Sequence, residues 1–120
     1  MGGPEDRATG HHIGLEAARK RLKGGDGDSF EILFTHGSLT VEIYQPVEID
    51  LQQPHSRDEC YVIIDGHGRF EMGDETVSFA PGDFLFVPAG MPHRFFDFRD
   101  RMSTWVMFYG PERGESQPQK

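Results

Sequence analysis

The chain has 120 residues, which suits one domain with a substantial core and excludes a catalytic domain joined to a regulatory one. Twelve Lys and Arg stand against twenty Asp and Glu, giving a formal net charge of −8, and the basic residues form no stripe, so we expect no nucleic-acid partner. The single cysteine, Cys60, cannot form an internal disulfide, and neither a leader nor a membrane-length apolar run is visible, so we expect a cytoplasmic protein without a membrane partner.

The first 28 residues are predicted to be a flexible arm that carries one short helix. Residues 1–12 are rich in glycine and charge and have no apolar period, which is typical of a mobile segment. From Ile13 to Leu22 the apolar residues recur near helical spacing, and Gly24-Gly25 is a signal for the end of a helix. The Gly-Asp-Gly-Asp stretch that follows predicts a turn before the rest of the chain.

From Ser29 onward the hydrophobic period changes to two, which is the pattern of half-buried strands. The first two alternating runs predict a hairpin that turns at His36-Gly37. Many short strands at close turn spacing predict an all-β antiparallel barrel or sandwich over residues 29–112, followed by a polar tail over residues 113–120. The further strand-like runs are Cys60–Ile64, Arg69–Met72, Glu75–Phe79, Phe84–Val87, His93–Phe98 and Thr104–Tyr109.

Two histidines and a carboxylate stand where a folded barrel could bring them together. His55 and Glu59 flank one turn, and His93 follows a separate Pro-Gly turn. Two neutral imidazoles and one carboxylate can occupy one face of an octahedral metal ion and leave other positions open. Histidines beside prolines are also common in loops, so spacing alone leaves open a surface or hydrogen-bonding role.

These residues resemble both sequence motifs of the cupin superfamily, and the resemblance covers the chain from about Ser29 to Glu112. In the first motif two histidines precede a glutamate, and a glycine follows after six residues; His55, Glu59 and Gly66 correspond to the second histidine, the glutamate and the glycine. The second motif is matched by Gly82, Pro88, Gly90 and His93. The resemblance implies an antiparallel β-barrel or jelly roll, here with a short N-terminal helix, and one divalent metal ion on His55, Glu59 and His93.

The chain departs from the family pattern at the first histidine of the first motif, where Gln53 stands. An amide oxygen can bind a hard divalent ion, and the related phosphomannose isomerases have a glutamine among their zinc ligands, so the resemblance makes Gln53 a candidate fourth ligand. In a strand Gln53 and His55 point to one face, as joint ligation requires. Cys60 has the opposite parity to Glu59 and is predicted to face outward as a structural residue.

Several residues near the predicted ligands in sequence have two open roles. Four residues lie two or four positions after a predicted ligand and so point to the same face of their strand, namely Tyr61, Ile63, Phe95 and Asp97. They are predicted to line the cavity, although ordinary barrel filling is the alternative. Asp97 either accepts a hydrogen bond from the neighbouring histidine ligand or is a turn residue. Arg57 either meets a substrate carboxylate or lies on the surface.

The run Thr104–Tyr109 is apolar without alternation, which predicts a strand buried on both faces. Since a barrel wall has solvent on its outside, either the N-terminal helix or a second subunit must cover the outer face of this strand. Small cupins commonly form dimers through such sheets, so the resemblance also implies a homodimer.

The cupin fold does not fix the chemistry, because its members include enzymes, binding modules and storage proteins. We expect a metal-dependent enzyme, dioxygenase- or isomerase-like, that acts on a small chelating organic substrate through one divalent ion of Fe, Mn, Ni or Zn. In that reading Glu59 serves both as ligand and as the catalytic proton acceptor. The alternative is a non-catalytic module that binds a small molecule or sugar, and a purely structural barrel would require the metal motif to be vestigial.

Overall fold

A computed structural model describes residues 9–22, 29–48, 50 and 54–116 of the chain. Within these residues the strands form two antiparallel sheets, one in the order β1-β2-β8-β3-β6 and the other in the order β5-β4-β7. The predicted fold class, an antiparallel β-barrel or jelly roll with a short N-terminal helix, is confirmed. The elements are α1 (Leu15–Arg21), β1 (Ser29–His36), β2 (Leu39–Gln45), β3 (Asp58–Asp65), β4 (Gly68–Met72), β5 (Glu75–Phe79), β6 (Phe84–Val87), β7 (His93–Phe96) and β8 (Ser103–Tyr109).

The helix and the seventh strand are shorter than the sequence predicts. Helix α1 ends at Arg21, and the predicted Gly24-Gly25 signal lies outside the described residues. Strand β7 ends at Phe96 because Asp97 adopts a φ of 58°, a left-handed conformation that an extended strand cannot contain. Across the described parts of the chain, no helix is long and apolar enough to cross a membrane.

The core lies between the two sheets. Directly paired residues of an antiparallel sheet project to the same face, so the pairings Val106↔Tyr61 and Tyr61↔Leu85 define the inner face of the larger sheet. Glu42 pairs with Val106 and therefore also lies on this inner face. The buried cluster draws on both sheets and contains Tyr61, Ile63, Phe70, Phe79, Leu85, Val87, Phe95, Phe98, Met102 and Val106.

The outer face of the larger sheet is covered only in part. Ile43 on this face is fully buried although it lies outside the main core cluster. Arg21 of α1 contacts Glu31 at 3.6 Å, and Glu31 pairs with Ile43, so α1 lies against this part of the face. In the single chain the predicted burial of β8 on both faces is incomplete, because its outward residues Trp105 and Met107 are half-buried.

Candidate metal centre

The structure brings His55, Glu59 and His93 together, with one potential ligand atom from each lying within 4.8 Å of the other two. His55 lies in the loop before β3, Glu59 is the second residue of β3, and His93 is the first residue of β7, so the cluster joins the two sheets. Glu59 Oε1 lies 3.2 Å from His93 Nε2, and Glu59 Oε2 lies 3.9 Å from His55 Nε2. Gln53, the predicted fourth ligand, lies outside the described residues.

Two buried atoms of this cluster have no hydrogen-bond partner in the described part of the chain, namely Glu59 Oε1 and His93 Nε2. Their 3.2 Å contact lacks the geometry of a hydrogen bond. The other ring nitrogen of His93, Nδ1, lies 2.9 Å from the carbonyl oxygen of Met91, which can only accept, so Nδ1 carries the proton and Nε2 offers a lone pair. Unpaired buried polar groups cost about 1–3 kcal/mol each. A carboxylate oxygen and an imidazole lone pair side by side therefore fit a divalent cation.

The pKa values of the two histidines are shifted in opposite directions. Burial lowers the pKa of His55 below its ordinary value, and the Glu59 carboxylate opposes this only in part, so His55 is neutral at neutral pH. Burial also lowers the pKa of His93, but the Glu59 carboxylate and the Met91 carbonyl outweigh burial and raise the pKa overall. A proton and a cation therefore compete for Nε2 of His93.

Hydrogen bonds lock together the two loops that carry the ligands. The carbonyl oxygen of His55 accepts a bond from Gly90 N at 2.7 Å, which ties the loop of the first motif to the turn of the second. The buried Asp58 carboxylate accepts bonds of 2.9 Å from Ala89 N and from Glu115 N. The His55 ring packs edge-on against Phe108, with ring centroids 4.8 Å apart. The ligand positions are thus fixed from several elements at once.

A second buried carboxylate, Asp50, links the sheets beside the cluster. It accepts a 2.7 Å hydrogen bond from the Tyr44 hydroxyl of β2 and a 2.8 Å bond from Phe95 N of β7. Because Phe95 is two residues from His93, this contact helps to fix the strand that carries the ligand. Sequence reasoning missed Asp50, because its partners are 6 and 45 residues away along the chain.

Sequence reasoning also missed Glu42, because the alternation along β2 does not by itself say which of its two faces points inward. Glu42 alternates with Val41 and Ile43, so it faces the opposite side of β2, which is the inside of the barrel. Burial, together with the nearby Glu59 carboxylate, raises the pKa of Glu42 to about 7. A carboxyl group with this pKa can take up or release a proton near neutral pH.

Of the four residues predicted to line the cavity, three lie in the core and one lies in a surface turn. Tyr61, Ile63 and Phe95 belong to the buried core cluster, so their observed role is barrel filling. Asp97 is a turn residue on the surface, its carboxylate lies 3.9 Å from Arg69, and the partner of His93 is Met91 instead. The prediction that Asp97 lines the cavity beside the metal ligands is therefore wrong, because its left-handed backbone ends the strand alternation.

A cleft of about 190 Å³ lies next to the cluster and is lined by His55, Ser56, Arg57 and Phe108. A larger cavity of about 420 Å³ lies around Gly66, His67, Gly68, Asp97 and Arg99. Strand β3 separates Glu59 from Gly66 by seven residues, or about 20 Å. The larger cavity is therefore remote from the candidate ligands, whereas the smaller cleft is lined by His55 itself.

Comparison with known proteins gives a family match and structural likenesses. A family model described as Cupin domain matches residues 40–108. An uncharacterized protein of Streptomyces coelicolor is 36% identical over 63 residues, which are 52% of this chain and 60% of that protein. KdgF from Halomonas sp. is similar in structure, with a TM-score of 0.64, 16% identity, and coverage of 76% of this chain and 88% of that one.

Two further solved structures share this architecture. An RmlC-like cupin from Shewanella frigidimarina has a TM-score of 0.68 at 14% identity and covers 86% of this chain and 93% of its own. A cupin superfamily protein from Desulfitobacterium hafniense has a TM-score of 0.67 at 15% identity, with coverage of 85% and 94%. At such identities these likenesses establish the fold alone.

Proposed function

The chain belongs to the cupin domain family, and we propose that it is a metal-dependent enzyme acting on a small organic substrate that chelates the ion. The observation that carries the proposal is the pair of buried atoms without hydrogen-bond partners in the described residues, Glu59 Oε1 and His93 Nε2, beside the neutral imidazole of His55. A site built only for stability would pair such atoms with hydrogen-bond donors and acceptors of the protein.

In this proposal His55, Glu59 and His93 hold one divalent ion of Fe, Mn, Ni or Zn. Gln53 stays a candidate fourth ligand. Three protein ligands leave positions of a six-coordinate ion free for a substrate, whereas a closed structural site leaves none. The ion, when bound, supplies a Lewis acid that polarises the substrate oxygens it contacts.

The protein residues supply position and proton transfer. Glu59 has one carboxylate oxygen toward His93 and the other toward His55, so one oxygen can bind the ion while the other accepts a substrate proton. The Met91 carbonyl holds the His93 ring in the required tautomer. Phe108 shields one side of His55 from water. Removal of a proton next to a polarised carbonyl would suit an isomerase, and use of dioxygen is a narrower form of the same proposal.

The test is to reconstitute the metal-free protein with iron(II), manganese, nickel or zinc and to screen β-diketones, catechols, flavonols and keto-sugars for turnover and oxygen uptake. We expect turnover with at least one metal form and a loss of at least about a hundredfold in the Glu59→Gln variant, as is usual for a general base. Glu112→Gln, an exposed site, is the matched control and should keep full activity. If chelators perturb the spectrum of the cobalt-substituted protein but no metal form turns any of them over, the non-catalytic binding module replaces this proposal.

We further propose that the chain forms a homodimer through the outer face of the larger sheet. Phe84 and Phe86 of β6 are 62% and 39% exposed, and they share this face with the half-buried Cys60. Within the described residues β6 pairs only with β3, so these aromatic side chains lie at a sheet edge. A second copy of the chain offers the same patch, which a two-fold axis makes self-complementary.

Light scattering at micromolar concentrations should therefore give twice the chain mass of 13.6 kDa. Phe84→Glu should shift the protein to the monomer, because a charge in an apolar interface must lose its hydration. Phe30→Glu is the matched control, since Phe30 is 57% exposed but lies on the other face. A monomer mass for the unmodified chain would contradict the dimer.

A cytoplasmic location is proposed on the character of Cys60. Burial, with the Glu59 and Asp58 carboxylates, raises the pKa of this thiol, so it is protonated and unreactive at neutral pH. Cys60 is a free, half-buried cysteine that lies opposite Phe86 and Met107 on the neighbouring strands. This position fits the predicted structural role. Such a residue requires no oxidising compartment.

A further inference from the structure

We infer that Arg57 makes the cleft beside the metal centre selective for substrates that carry a carboxylate in addition to their chelating oxygens. The inference rests on the proposed function, because the chelating oxygens need the ion. Its starting point is the cleft of about 190 Å³, which Arg57 lines together with His55. The sequence left the role of Arg57 open between substrate contact and surface, and this shared cleft favours substrate contact.

The guanidinium of Arg57 is held in place by the turn between β1 and β2. Its Nη1 donates to the carbonyl oxygen of Ser38, and its Nη2 donates to Thr40 Oγ1 at 3.3 Å. The turn is itself fixed, because Ser38 Oγ accepts a 3.0 Å hydrogen bond from Gly110 N. Arg57 is thus oriented before any ligand arrives, which reduces the entropy that binding must overcome.

No carboxylate of the described residues lies within ion-pair distance of the Arg57 guanidinium, and both of its hydrogen-bond acceptors are neutral. Other arginines of this acidic chain do find acids, as Arg94 does with Glu71 at 2.9 Å. A guanidinium has five N–H donors, so donors remain for a carboxylate, which it binds in a planar, two-point geometry.

The size of the cleft limits the ligand. A volume of about 190 Å³ is smaller than the roughly 300–1,000 Å³ typical of sites for drug-sized molecules. It corresponds to about six waters at about 30 Å³ each. A short organic acid with a chelating oxygen pair at one end and a carboxylate at the other fits a cleft of this size.

Two probes of equal length distinguish the contribution of the terminal carboxylate to binding from that of the chelating head. 2-Oxoglutarate and 2-oxopentanoate share the same 2-oxo acid head and differ only in a terminal carboxylate against a methyl group. We would titrate each into the cobalt-substituted protein and follow the visible spectrum of the metal. We expect 2-oxoglutarate to bind at least about tenfold more tightly, the usual effect of a hydrogen bond between charged groups.

Arg57→Gln should remove this preference by weakening 2-oxoglutarate about tenfold, while 2-oxopentanoate changes less than about twofold. Arg57→Lys keeps the charge but loses the planar fork, so it should retain part of the preference, and it tests the inference if the glutamine variant fails to fold. Arg99→Gln removes the same charge from the remote, exposed Arg99 and should leave both affinities unchanged.

The outcomes distinguish this inference from the proposal on which it rests. If the unmodified protein binds no cobalt, or if neither probe changes the cobalt spectrum, the proposed function fails and the inference fails with it. If cobalt and both probes bind but the two affinities are equal, only the inference is overturned. Persistence of the preference in Arg57→Gln, with normal cobalt content, would also overturn it.

Discussion

Alanine at His93 should remove most of the divalent metal from protein purified without chelators, taking it from near one ion per chain to a small fraction. His93 Nε2 is buried and has no partner in the described residues, and its ring is oriented by Met91, so no other side chain of the known cluster can replace it. Of the three clustered ligands in the described residues, the variant retains Glu59 and the half-exposed His55. The loss should exceed the roughly 10- to 100-fold weakening that removal of an outer-shell partner causes.

Elemental analysis of the purified variants measures this directly. His55→Ala should also lose most of the metal, and circular dichroism should show that both variants keep their β-sheet content. His67→Ala is the matched control, because His67 is exposed in the turn between β3 and β4, about 20 Å from the cluster. Full metal content in the double variant His55→Ala/His93→Ala would disprove the ligand assignment.

The strands could be predicted from sequence because their signal is local. Alternation and turn residues predict a strand near each of the eight strands of the described residues. The likeness to both cupin motifs named the three residues that the structure clusters, because each motif is a short stretch of sequence that carries its ligands in a loop or at the beginning of a strand. The orientation of Asp97 was out of reach, since one left-handed residue ends the alternation on which that prediction depended.

Contacts between distant segments account for what sequence reasoning missed. Ile43 is buried by tertiary packing on the outer face, where α1 lies, while its neighbour Glu42 faces the inside. The pattern of β2 alone gives the alternation but does not say which set of residues faces the core. The orientation of Arg57 could not be predicted from its local sequence either, because it depends on hydrogen bonds to Ser38 and Thr40, which lie 19 and 17 residues away.

A side chain at Gly66, the glycine that closes the first motif, should strongly lower the stability of the fold. Gly66 has a φ of +100°, which side-chain-bearing residues rarely adopt. A Cβ added there would lie 2.6 Å from Met102 Cβ and 3.0 Å from Met102 Cα. Met102 is fully buried in the core, and its backbone cannot move aside cheaply.

Gly66→Ala should therefore lower the free energy of unfolding by about 2–5 kcal/mol, the sum of about 1–2 kcal/mol of backbone strain and about 1–3 kcal/mol of overpacking. Denaturant unfolding of the metal-free protein measures it, since a bound ion would add its own stabilisation. Gly82→Ala is the matched control, because Gly82 has a φ of +92° but nothing within 4 Å of an added Cβ. This control should lose only the strain component, about 1–2 kcal/mol. Equal losses in the two variants would mean that Met102 yields to the new methyl group, and that backbone conformation alone requires glycine at position 66.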